Sequence, residues 1–66
     1  MNSYEVNWSG KERAFITKAD AIEFMESLDD GSDLWLATEQ VELTGTLLRS
    51  RVKQADGTFK VEIHNE

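Results

Sequence analysis

The sequence predicts an α+β domain: a single antiparallel sheet in the order β-β-α-β-β-β, with one amphipathic helix packed on one face. Three observations carry this expectation. Residues 4–8 (YEVNW) alternate with the period of a half-buried strand. Residues 18–28 (KADAIEFMESL) gather Ala21, Ile22, Phe24, Met25 and Leu28 into one helical arc of about 160°. Asp56-Gly57, set between two strand-like runs, is a strong hairpin signal.

Taken in order, Tyr4, Val6 and Trp8 share one face of the first strand, with Glu5 and Asn7 on the other. Ser9-Gly10-Lys11 reads as a turn, and residues 13–17 (RAFIT) as the second strand of an opening hairpin. Thr17 is the expected helix N-cap, because Thr17-Lys18-Ala19-Asp20 has the spacing of a capping box. Asp20, Glu23, Glu26, Ser27 and Asp30 fill the polar arc. Gly31 stands where a left-handed residue closes a helix, which predicts an end near Asp29 or Asp30.

Residues 33–38 (DLWLAT) predict a third strand with Leu34 and Leu36 facing away from Trp35 and Ala37. Thr38-Glu39-Gln40 is a weak turn, and a longer strand follows from Val41. Its apolar phase reverses: Val41, Leu43 and Leu47 are odd, whereas Leu48 and Val52 are even. A β-bulge between Gly45 and Leu48 accounts for the reversal, and a turn at Thr44-Gly45-Thr46 is the alternative. A two-residue loop at Asp56-Gly57 sets Val52 opposite Val61 and Arg51 opposite Glu62. Val52, Phe59, Val61 and Ile63 then share one face, and Arg49, Arg51, Lys53, Lys60 and Glu62 the other. Asn65 and Glu66 are expected to fray. Trp8 is expected to be more buried than Trp35.

A chain of 66 residues makes one domain, spanning 1–66, and buries only about 60% of its unfolded surface. With no cysteine there is neither a disulfide nor a thiolate zinc site, which fits a cytoplasmic setting. No secretory signal or membrane-length apolar run is expected. A formal charge of −6 argues against nonspecific nucleic-acid or anionic-membrane binding.

Catalysis is not expected. His64 is the sole histidine, and the glycines at 10, 31, 45 and 57 are too scattered for a phosphate loop. MESLDDGSD, residues 25–33, fails as a calcium loop: its aspartates are adjacent and no glutamate follows until Glu39. No metal or cofactor is expected. Charge distribution is the most distinctive feature. Residues 19–48 hold eight acids and no lysine or arginine, whereas residues 49–60 hold four bases and one acid. A helix that forgoes Glu–Lys pairs, and sets acids at its negative end, departs from local preference.

The leading expectation is therefore a noncatalytic acidic module that docks on a basic protein partner. Its candidate residues are Asp20, Glu23, Glu26, Asp30, Asp33 and Trp35. Carboxylates repeating at i+3 and i+4 can imitate a row of phosphates, so a nucleic-acid-binding protein engaged by a DNA mimic is one such partner. Size, acidity and the lack of a catalytic constellation are what is expected of small phage or mobile-element accessory proteins, including inhibitors. A homodimer built through the sheet is the alternative. Direct nucleic-acid binding by the basic hairpin is a second alternative.

Overall fold

The computed structural model describes residues 2–38 and 44–66. Five strands and one helix follow in order: β1 (Asn2–Trp8), β2 (Lys11–Phe15), α1 (Lys18–Glu26), β3 (Ser32–Thr38), β4 (Thr44–Lys53) and β5 (Phe59–Ile63). The strands form one antiparallel sheet in the spatial order β2-β1-β3-β4-β5. The α+β architecture read from the sequence is the observed one. Thr38, the first residue of the expected turn, is the last of β3, and residues 39–43, which hold the rest of that turn and the expected strand start, lie outside the described residues.

The opening hairpin turns on Ser9 and Gly10, whose φ values of 48° and 76° suit a two-residue turn that matches strand twist. Trp8 therefore pairs with Lys11, and β2 begins two residues earlier than the β-branched run suggests. Ile16 lies beyond the strand and is 82% exposed. From there α1 carries the chain across β1 to β3. Thr17 caps the helix, its Oγ1 accepting from the Asp20 amide at 3.2 Å.

One face of the helix seals the core. Ala21 and Met25 meet Val6, Leu34 and Leu48, and all five are buried. Trp8 and Phe15 flank Phe24 at ring-centroid distances of 4.9 and 5.3 Å. Burial of side chains such as Val6, Leu34 and Met25 contributes about 1.5–3 kcal/mol each. The helix packs over β1, β2 and β3, so most of the β4–β5 hairpin lies beyond its footprint. The result is an elongated body of 41 × 21 × 19 Å.

The phase reversal is a bulge. Trp35 pairs with Leu47 and Leu34 with Arg49, leaving Leu48 as the extra residue, buried in the core. The turn at Thr44-Gly45-Thr46 is excluded, because all three lie within β4.

Three expectations are corrected. The helix stops at Glu26 with Ser27 as C-cap, earlier than Asp29. Gly31 is not left-handed; a Cβ there would stand 3.1 Å from the Arg51 carbonyl oxygen, so this glycine permits close approach of two backbones. The closing hairpin has a three-residue loop, Ala55-Asp56-Gly57. Gly57 N–H donates to Gln54 O at 3.0 Å, Gln54 N–H donates to Thr58 O at 2.7 Å, and Gly57 has φ +89°. This is a turn closed by a left-handed glycine. Val52 consequently pairs with Lys60, and Arg51 with Val61.

Candidate functional site

The acidic row stands on α1. Asp20, Glu23 and Glu26 are exposed at successive i+3 positions, opposite the buried Ala21 and Met25. Asp29 and Asp30 follow, also exposed, in the segment leading to β3. A shallow concavity beside the row is lined by Arg13, Phe15, Asp20, Glu23, Phe24 and Ser27. The Arg13 guanidinium lies 5.0 Å from the centroids of both Phe15 and Phe24, a cation–π arrangement on the aromatic wall.

Acids at a helix C-terminus need an opposing charge, and α1 has no base in its last turn. The charge comes from β4. Arg51 Nη1 donates to the carbonyl oxygens of Met25 at 3.0 Å and Leu28 at 2.7 Å. The same guanidinium stacks 3.6 Å from the Phe59 ring centroid. The Met25 carbonyl of the last turn and the Leu28 carbonyl just past the cap thus gain a charge-assisted donor. Acids at the negative end of the helix were the available hint of such a partner; which base supplied it depended on register.

Arg49 is equally committed. Its Nε and Nη2 donate to Glu66 Oε2 at 2.5 Å and Oε1 at 2.7 Å, and Lys18 Nζ lies 2.8 Å from Glu66 Oε1. The Glu66 side chain is only 9% exposed. The Arg49 hydrogen bond, with Lys18 adding to it, lowers the Glu66 carboxyl to about 2. The same pairing raises Arg49. The expected fraying at Asn65 and Glu66 is corrected: Asn65 Nδ2 donates to Leu47 O at 2.6 Å, and the amides of His64 and Asn65 donate to Leu48 O. These residues satisfy carbonyls at the bulge.

The predicted site residues divide between two sheet faces. Asp20, Glu23, Glu26 and Asp30 belong to the helix and the segment after it. Asp33 and Trp35 project from β3 on the face away from the helix, where Asp33 pairs with Asn7 and Trp35 with Glu5. Trp8 and Trp35 are both half-buried. The Trp35 indole crosses Gly45, where an added Cβ would meet the ring at 3.3 Å. The basic cluster is broken up as well. Arg49 and Arg51 are engaged inside the molecule, and Lys53 and Lys60 lie on opposite faces.

Ser50 Oγ lies 3.2 Å from His64 Nε2, a proximity that sequence reasoning missed. The pair is exposed, and among the described residues no carboxylate hydrogen-bonds the other ring nitrogen. It therefore lacks the oriented base of a nucleophilic site. Among the described residues no three histidine or acidic side chains converge for a metal, and no helix is long and apolar enough to cross a membrane. Comparison with protein-family models, curated proteins and solved structures finds no match.

Proposed function

We propose that this protein is a noncatalytic interaction module whose acidic helix face docks on a basic patch of a partner protein. One observation carries the reading. Arg51 places its charge on the helix-end carbonyls, while Asp20, Glu23 and Glu26 stay exposed in a row. The fold thus offsets the terminal dipole from within and leaves the surface carboxylates available for an outside cation. Such a face steers a basic partner and sets the salt dependence of its encounter. The row rises about 4.5 Å per step along the axis. That repeat suits recognition by a protein that reads phosphates, which is the finer form of the proposal.

The test uses wild type and the Glu23→Lys, Glu26→Lys, Asp30→Lys triple variant in parallel. Proteins captured from host lysate by the wild type alone are identified by mass spectrometry and purified. Calorimetry at two salt concentrations then compares the two forms. Affinity should fall in the variant, and wild-type binding should weaken with salt as the Debye length shrinks below about 8 Å. A folded triple variant with unchanged affinity overturns the proposal.

A further inference from the structure

We infer that the outer edge of β5 pairs antiparallel with the same edge of a second copy, centred on Val61. The inference is independent of the acidic face. β5 ends the sheet, and among the described residues no strand pairs with its outer side. Its hydrogen-bonding parity is fixed by two bonds that bracket it. Gln54 N–H donates to Thr58 O, and His64 N–H donates to Leu48 O. Antiparallel pairing alternates, so residues 58, 60, 62 and 64 face β4. The N–H and C=O groups of Phe59, Val61 and Ile63 therefore point outward.

Two copies joined through those groups must pair odd residues with odd residues. Three registers allow substantial overlap. One sets Lys60 against Lys60 of the second copy, and another sets Glu62 against Glu62. The third, centred on Val61, sets Lys60 against Glu62 twice over by symmetry. It also matches Phe59 with Ile63 and Val61 with Val61. Only this register is self-complementary in charge. Within one copy, Lys60 and Glu62 face Val52 and Ser50, so neither has a charged cross-strand partner.

The apolar pattern agrees. Val61 and Ile63 remain 51% and 54% exposed, on the side of the sheet that carries the helix but outside its footprint. The opposite edge is different: β2 carries Lys11, Glu12 and Arg13, charges that discourage edge pairing. The two-fold axis is perpendicular to the sheet. Ten strands become continuous and both helices stand on one side. A five-residue edge is small, which places the association in the weak class.

Sedimentation equilibrium across a concentration series tests this with K60E, E62K and their mixture, folding being checked by circular dichroism. Wild type should dimerise. Each single variant sets like charges opposite each other and should associate about tenfold more weakly. An equimolar mixture should recover dimers, because K60E and E62K complement each other across the edge. The double variant K60E/E62K should dimerise like wild type. Wild type that stays monomeric, single variants that match it, or a mixture without recovery would each overturn the inference.

Discussion

Arg51 Nη1 donates to the Met25 carbonyl at 3.0 Å, so a strand supplies the positive charge that the helix terminus lacks. The bond joins the two halves of the molecule, because Arg51 also covers Phe59 on β5. Replacing Arg51 with alanine removes two charge-assisted bonds and a stacked cation. Urea unfolding should show a loss of about 2–3 kcal/mol. Arg51→Lys should fall between, since a point charge reaches the carbonyls without the planar fork.

Glu66 gives a pH signature. Its folded value of about 2 lies below the ordinary 4.5. The unfolded chain therefore binds this proton first, and the stabilisation is complete above about pH 4.5. It is lost as pH falls toward 2. Glu66→Gln should be less stable than wild type at neutral pH, and the two should converge at pH 2. Paired denaturation curves measure the difference; a constant gap across the range would contradict the assignment.

Gly31 and Gly57 should respond differently to alanine. At Gly57 the cost is conformational, about 1 kcal/mol, because φ is +89° and nothing lies within 4 Å of the added Cβ. At Gly31 the cost is steric, also about 1 kcal/mol, from contact with the Arg51 carbonyl. Because the clash is with a backbone oxygen, the Gly31→Ala cost should persist undiminished in an Arg51→Ala background, and urea unfolding of the single and double variants measures it.

The triple lysine variant should fold. Lysine at positions 26 and 30 suits the negative helix end, and all three side chains are exposed. Its stability should stay within about 0.5 kcal/mol of wild type or rise slightly. Thermal melts at low and high salt check this, separating loss of binding from loss of fold.

Element order and the bulge were legible because each depends on a local period. Ala21 and Met25 fall on the core face by helical spacing, and the odd-to-even change at Leu48 appears in the letters themselves. The hairpin register was not legible. Asp56-Gly57 serves a two-residue or a three-residue loop, and matching Val52 to Val61 assumed a buried face. The helix does not cover Val61 or Ile63, so burial does not select the register there. The candidate site was half legible. Helical spacing grouped Asp20, Glu23 and Glu26, whereas Asp33 and Trp35 were joined to them by sequence proximity alone. The engagement of Arg49 and Arg51 depends on contacts 17 and 26 residues away.

The bulge makes the chain unequally tolerant of length change. Leu48 acts as a parity bit for everything that follows it. With the extra residue present, Arg49 and Arg51 project toward the helix, where Glu66 and the carbonyls of Met25 and Leu28 receive them. Deleting Leu48 would restore unbroken alternation with Arg49 still opposite Leu34 and Arg51 opposite Ser32, at the cost of one buried core side chain. Straightening the bulge with Leu48 retained would instead point the guanidinium that quiets the helix end to the opposite side of the sheet. A residue gained ahead of Thr44 changes no later side chain's direction. One lost between Leu47 and Arg51 can be absorbed by the bulge, whereas one gained there exchanges the two surfaces of the hairpin unless a second bulge forms. Insertions should thus accumulate before the strand and be purged within it.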